Sequence, residues 1–230
     1  MAENIARIFA AAVAQDPIRP LLTWYDDATG ERTELSGATL TNWVSKTANL
    51  LVDGAGMAPG DAVGVLLPPH WQTAAVLLGA WSAGLDVQTE AVRSVEVLFA
   101  AADRVDEATA WPAGERYALA LAPMAAPVRE LPAGFSDYVV EVRGHGDHFT
   151  PYPTGGPQDA DLADRATRRG AELGLVPGAR VLVDAARHAN PIDWLLAPLT
   201  VGASIVLCGH ADPTRLPDRA AAEKVTVTLA

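Results

Sequence analysis

Three short stretches of the sequence carry groups that could do chemistry. His145-Gly146-Asp147-His148 offers three potential metal ligands close together. Thr154-Gly155-Gly156 is a run of small residues whose backbone amides could approach a phosphate or another anion. Asp184, His188 and Asp193 lie close enough along the chain to suggest the acid and base of a hydrolase triad. Each interpretation has a simpler structural alternative.

The metal and triad interpretations both lack a partner that the chemistry needs. A zinc or nickel site requires a fourth ligand and supporting hydrogen bonds, so we interpret residues 145–148 as a polar loop and predict no metal. Ser204 is the only serine of the predicted second repeat, at about residues 159–230, and no Gly-x-Ser-x-Gly elbow occurs. We therefore predict no catalytic residue, and a hydrogen-bonded His188 at the end of a strand.

Composition excludes several classes of partner. The chain has 230 residues, with 17 basic and 28 acidic side chains and a formal net charge of −11, which argues against nucleic acid and anionic membranes. Cys208 is the only cysteine, so one chain cannot form a disulfide, and its apolar setting predicts a buried strand thiol. No run approaches the roughly 20 apolar residues of a membrane span, and the N-terminus with Glu3 does not resemble a signal peptide. We expect a cytoplasmic protein.

A ten-residue pattern occurs twice in the chain. Gly56–Val65, which contains a Pro-Gly pair, is echoed by Gly174–Val183, 118 positions later. At the same offset Gly84 is matched by Gly202. The pattern predicts that a helix end, a Pro-Gly turn, a strand, a helix and a glycine turn are built twice.

The alternation of strand and helix patterns predicts an α/β fold. Predicted helices cover about residues 3–14, 40–53, 71–83, 160–173 and 193–200, and predicted strands cover about 21–25, 32–35, 62–67, 138–142, 180–184 and 203–208. The segment Val95–Phe99 fits either a strand or the start of a helix. We predict one domain over residues 1–230, with pseudo-twofold α/β repeats at about 36–122 and 159–230 and largely parallel sheets.

Several spaced motifs resemble the N-terminal part of the adenylate-forming enzymes, the superfamily of acyl-CoA synthetases, luciferases and other AMP-binding proteins. They are Leu40-x-x-Trp43, Gly60-Asp61-Ala62-Val63, Leu66-Leu67-Pro68, Ala80-x-x-Ala83-Gly84, Pro177-Gly178-x-Arg180-Val181 and Pro198-Leu199-x-x-Gly202-Ala203. The resemblance covers nearly the whole chain but only the first half or less of a family member. It implies the fold of the N-terminal subdomains of these enzymes.

The resemblance also places the family's phosphate loop, which is rich in Ser, Thr and Gly and ends in Pro-Lys. Family members use it when they condense a carboxylate with ATP to give an acyl-adenylate and pyrophosphate. Here that place holds a shorter segment, Tyr152–Gln158, with glutamine where lysine belongs. Its two prolines remove N–H donors, and Asp159 and Asp161 would repel phosphate. Thr154, Gly155 and Gly156 are therefore the cofactor-binding candidates of a degenerate loop.

Two further residues are candidates for a substrate pocket. The resemblance implies that His188 stands where relatives often have a histidine beside the acyl pocket. Trp71 follows Pro68-Pro69-His70 and either borders a pocket at the end of a strand or packs in the core. The groove between the repeats would be the place for such a pocket.

The functional expectation is a truncated pseudoenzyme. The family's later motifs, which hold adenine, ribose and magnesium, and its catalytic lysine lie beyond Ala230. We expect no cofactor and a binding or interaction role, with a homodimer or a protein partner covering the truncated face. The alternative is a binder of an acyl group or nucleotide (ATP, AMP or CoA), or a residual ATP-dependent acyl-adenylate or acyl-CoA ligase that needs a partner chain.

Overall fold

Two five-stranded sheets, each with its own helices, make up the computed structural model, which describes residues 4–91, 93–153, 155–156 and 158–230. Unit A comprises the residues up to Leu40, residues 69–74 and residues 160–230. Unit B comprises residues 41–68 and 75–159. The chain therefore passes between the units more than once.

The helices are amphipathic or buried segments that cover the sheets. The α-helices are α1 (Ile5–Gln15), α2 (Gly37–Asn49), α3 (Trp71–Ser82), α4 (Val105–Thr109), α5 (Tyr138–Arg143), α6 (Asp159–Glu172), α7 (Ala197–Thr200) and α8 (Leu216–Ala222). A π-helical turn follows α2 at Leu50–Gly54 and another precedes α7 at Ile192–Leu196. Within the described ranges, none of these helices combines the length and the apolar character that a bilayer span requires.

The strands are β1 (Pro20–Asp26), β2 (Glu31–Ser36), β3 (Ala62–Leu66), β4 (Asp86–Gln88), β5 (Val95–Ala101), β6 (Ala113–Leu119), β7 (Ser136–Asp137), β8 (Arg180–Asp184), β9 (Ser204–Gly209) and β10 (Val227–Leu229). Sheet A, in unit A, has the order β10-β8-β9-β1-β2, and only the β1–β2 hairpin is antiparallel. Sheet B, in unit B, has the order β4-β3-β5-β6-β7 and is parallel throughout. The α/β fold with largely parallel sheets is confirmed.

Burial explains why the central strands are continuously apolar. All six residues of β9 and all five of β3 are buried, as expected for strands covered on both faces. Cys208 on β9 is fully buried, and burial raises the pKa of its thiol. The predicted buried strand thiol is therefore confirmed.

The sequence repeat is also a structural repeat. In unit B, a helix, α2, leads to β3, and α3 carries the chain to the adjacent parallel strand β4; in unit A, α6, β8, α7 and β9 follow the same course. Gly60 and Gly178 have φ of +93° and +74°, and Gly84 and Gly202 have φ of +68° and +63°. Left-handed backbone strains other residues, so the matched glycines keep matched turns.

One predicted strand is wrong, because residues 138–142 form the helix α5. The Asp137 side chain caps it by accepting a hydrogen bond from the amide of Val140 at 2.9 Å. Tyr138, Val139 and Val142 are buried, and this spacing fits one face of a helix. The apolar run resembled a strand because it is too short for the spacing of its apolar residues to distinguish a helix from a strand. Val95–Phe99, which the sequence left open, lies in β5.

Candidate functional site

The degenerate loop lies at the C-terminal end of α3 in unit B. The amide of Tyr152 donates a hydrogen bond to the carbonyl oxygen of Ser82 at 3.1 Å. Gly155 and Gly156 follow, both half-buried. Thr154, the third predicted cofactor-binding residue, lies outside the described residues. The helix end beside Tyr152 gathers carbonyl oxygens and disfavours an anion there, whereas the other end of the loop leads into the N-terminus of α6 at Asp159.

Both glycines make close approaches that a side chain would block. A Cβ built on Gly156 would lie 2.8 Å from the carbonyl oxygen of Leu85 and 3.1 Å from that of Gly84. A Cβ built on Gly155 would overlap the carboxylate of Asp159 and lie 2.5 Å from its Cβ. Glycine is thus needed here for packing against the chain's own oxygens, whatever the loop binds.

The charge around the loop is negative. Gln158 is exposed and neutral where the family's lysine would stand, and Asp159 is buried with 5% of its surface exposed. Asp161, in the first turn of α6, faces Arg165 at 3.7 Å, a loose pair on an exposed surface. The described loop residues therefore offer a phosphate two glycine backbones and no cationic side chain.

His188 sits in a hydrogen-bonded array of unit A, after the end of β8. Its Nδ1 lies 3.4 Å from Oδ2 of Asp193, whose other oxygen accepts a hydrogen bond from Nε of Arg169 at 2.8 Å. The Arg169 hydrogen bond, with a contribution from His188, lowers the pKa of Asp193. A carboxylate held in this way can fix the imidazole orientation and leave Nε2 to meet another group.

The hydrolase alternative fails on geometry. Ser204 begins β9 and pairs with Arg180 at the start of β8, and its hydroxyl accepts a hydrogen bond from Arg180 at 3.3 Å. His188 follows the opposite end of β8, and its amide bonds the carbonyl oxygen of Asp184. The serine and the histidine thus lie at opposite ends of the same strands.

Trp71 is the first residue of α3 and is only 3% exposed. Its ring lies 5.7 Å from that of His70, a residue that sequence reasoning did not select. His70 is almost fully buried against Trp24, with ring centroids 4.6 Å apart, and its Nδ1 accepts a hydrogen bond from the amide of Gln72. Burial lowers the pKa of His70 to about 3. The contacts described for Trp71 and for His188 involve different residues, and their role in a pocket stays a prediction.

Side chains of α2 hold residues 145–148 in place through hydrogen bonds to their backbone carbonyl oxygens. The Lys46 ammonium donates to the carbonyl oxygen of His145 at 2.6 Å, and the Asn49 amide donates to those of Gly146 and His148 at 2.8 and 3.0 Å. These contacts tie the stretch to α2. Across residues 4–91, 93–153, 155–156 and 158–230, no group of three or more His, Cys, Asp or Glu side chains is placed to hold a metal ion.

Unit A also contains a surface cavity of about 370 Å³ that the sequence did not suggest. Arg219 stacks 4.2 Å above the Tyr25 ring in its wall and, with Arg215, binds Asp27. The Arg219 hydrogen bond dominates the lowering of the Asp27 pKa to about 2. These guanidinium groups are already paired with a carboxylate of the chain, so the cavity offers an anion little uncompensated charge.

Comparison with known proteins gives both a sequence relative and structural relatives. No family model matches the sequence. A TIGR03089 family protein of Mycobacterium tuberculosis (strain ATCC 25618 / H37Rv) is 44% identical over 230 aligned positions, covering 93% of each chain.

Two solved structures show what the fold is. The acyl-CoA synthetase of Brucella canis matches with a TM-score of 0.79 at 18% identity, covering 99% of this chain and 47% of that one. The N-terminal domain of FACL13 from Mycobacterium tuberculosis matches with a TM-score of 0.70 at 14% identity, covering 98% and 62%. This chain thus spans about half to three fifths of those chains. Its fold is that of the N-terminal part of the adenylate-forming enzymes, as the sequence motifs predicted.

Proposed function

The chain belongs to the TIGR03089 family, and we propose that it is a non-catalytic protein with the adenylate-forming fold that acts as a binding or interaction module. The observation that carries the proposal is the packing of the degenerate loop. Gly155 and Gly156 lie against the Asp159 carboxylate and the carbonyl oxygens of Gly84 and Leu85. Exchange of pyrophosphate into ATP by the pure chain, in the presence of carboxylates, tests it.

The physical reason is electrostatic. A loop that holds ATP phosphates presents backbone N–H groups and a cation to oxygens that carry negative charge. The two described glycines of this loop lie instead against a carboxylate and two carbonyl oxygens, whose negative charge and lone pairs disfavour a phosphate beside them. An acyl-adenylate would need the opposite arrangement.

Exposed apolar side chains support the interaction role. Ile18 is 84% exposed and Val176 is 56% exposed. Residues close to both in the chain contact the same turn of unit A, since Arg19 donates to the carbonyl oxygen of Gly202 and the amide of Gly178 donates to that of Val201. A second copy of the chain is the partner we propose, because one self-complementary patch closes by twofold symmetry.

Light scattering tests this association. We expect a mass near twice 24.1 kDa at high micromolar concentration, and a shift to the monomer in Ile18→Glu. Met124→Glu is the matched control, because Met124 is 89% exposed on unit B and its change should leave the mass unaltered. A clean monomer for the unmodified chain would contradict the proposal.

The second candidate is a small-molecule binder, favoured by the array at His188. Asp193 and Arg169 orient the imidazole, whose side chain keeps 19% of its surface exposed. Such a group can hydrogen-bond a carbonyl or carboxylate oxygen of an acyl ligand. A rise in Tm with CoA, AMP, ATP or a fatty acid would favour this candidate.

A further inference from the structure

Three buried side chains of unit A lie at or beside the start of α3, and all three have polar atoms without a hydrogen-bond partner among the residues that the structure describes. His70 is 2% exposed, Gln72 is fully buried, and Trp24 on β1 is 5% exposed. The atoms are Nε2 of His70, Nε1 of Trp24, and the oxygen and nitrogen of the Gln72 side-chain amide. Buried polar groups are almost always hydrogen-bonded to protein or to ordered water, so this cluster needs an occupant.

The hydrogen bonds of His70 fix which of its ring nitrogens carries the proton. Nδ1 accepts from the backbone amide of Gln72 at 3.1 Å, so it is the unprotonated nitrogen. Burial keeps the imidazole neutral by lowering its pKa, although the charge of Asp26 opposes this shift. A neutral imidazole carries one proton, so Nε2–H of His70 is a buried donor.

A second donor lies on the neighbouring ring. The His70 imidazole packs edge-on to the Trp24 indole, with ring centroids 4.6 Å apart and the ring planes at 72°. The indole Nε1 can only donate, whereas the side-chain amide of Gln72 both donates and accepts. The three side chains are uncharged and provide more donors than acceptors, which suits a small neutral molecule with oxygen lone pairs.

We propose that one ordered water molecule binds here, accepting hydrogen bonds from Nε2 of His70 and Nε1 of Trp24 and donating one to Oε1 of Gln72. Three partners are the usual number for an internal water. The water joins β1 to the start of α3 and holds the His70 ring in the orientation that accepts the Gln72 amide. The site uses no residue of the degenerate loop or of the His188 array, so it is independent of the proposed function.

A crystal structure of the full chain, at a resolution that reveals internal waters, tests the proposal. We expect a fully occupied water within hydrogen-bond distance of both His70 Nε2 and Trp24 Nε1. An N–H donor can also point at the face of an aromatic ring. A structure with no water there, in which His70 Nε2 meets the face of the Trp24 indole or a protein acceptor, would overturn the proposal.

Solution NMR of the same chain gives an independent measurement. The His70 ring should have a protonated Nε2 and an unprotonated Nδ1, and the Nε2 proton should show cross-relaxation with a long-lived bound water. Trp24→Phe removes one donor and keeps an aromatic ring, so this water signal should be lost. Trp111→Phe is the matched control and should keep the signal, because the Trp111 indole is buried in unit B and donates to the carbonyl oxygen of Arg93. No bound-water signal in the unmodified chain, or an unchanged signal in Trp24→Phe, would contradict the site.

Discussion

Replacing Glu223 with alanine should lower the free energy of unfolding by about 3–5 kcal/mol, because it removes the carboxylate partner of Arg180 in a largely buried site. The Glu223 side chain is 9% exposed and pairs with Arg180, which is 16% exposed. It also accepts hydrogen bonds from the Tyr25 hydroxyl at 2.5 Å and from Arg32. Burial opposes ionisation of Glu223, but these hydrogen bonds outweigh it and lower its pKa to about 2.

Urea unfolding at pH 7 measures this effect, and Glu34→Ala is its control. Glu34 also pairs with Arg32, but the two side chains are 34% and 45% exposed, so its loss should cost less than about 1 kcal/mol. A Glu223→Ala protein within 1 kcal/mol of the unmodified chain would show that the cluster does not hold α8 against sheet A as described.

Lowering the pH from 7.5 to 5 should lower the free energy of unfolding of the unmodified chain by about 2 kcal/mol through His70 alone. Burial lowers the pKa of His70 to about 3, against 6.5 for an exposed histidine. A folded-state pKa below the unfolded one means that stability is complete above about pH 6.5 and is lost as the unfolded chain takes up the proton first. At pH 5 the loss corresponds to the interval of about 1.5 pH units below the unfolded-state pKa, and each unit contributes about 1.4 kcal/mol.

His70→Asn isolates this effect. Asparagine can accept the hydrogen bond from the amide of Gln72 but does not titrate, so the difference between pH 7.5 and 5 should shrink by about 2 kcal/mol. The low-pKa carboxylates Glu223 and Asp27 lose their contributions only below about pH 4.5, outside this window. His148→Asn, at an exposed position, should keep the full difference. An unchanged difference in His70→Asn would contradict a buried neutral histidine.

Local patterns predicted the scaffold well because they are set by neighbours in sequence. The Pro-Gly turns, the buried strand around Cys208 and the helix that begins at Trp71 all follow from period and turn chemistry. The strand predicted at residues 138–142 was wrong because α5 is only six residues long. So short a segment with three buried apolar residues cannot be distinguished from a strand by its hydrophobic period.

Several contacts that hold loops and helices in place join residues far apart in the chain. Tyr25 and Glu223 are 198 positions apart, and Lys46 reaches the backbone of His145 across 99 positions. No local pattern encodes such pairs. Asp159 is a different case: its position beside the loop was visible in the sequence, and only the structure shows that its carboxylate is buried against Gly155.

The central proposal is that this chain does not make acyl-adenylates, and exchange of labelled pyrophosphate into ATP tests it most directly. The pure chain, assayed with a panel of aliphatic and aromatic carboxylates, should give exchange no greater than a reaction without protein. The reason is the packing of Gly155 and Gly156 against the chain's own oxygens, together with glutamine at 158, where the family's lysine would stand. Robust exchange that depends on both ATP and a carboxylate would contradict the claim.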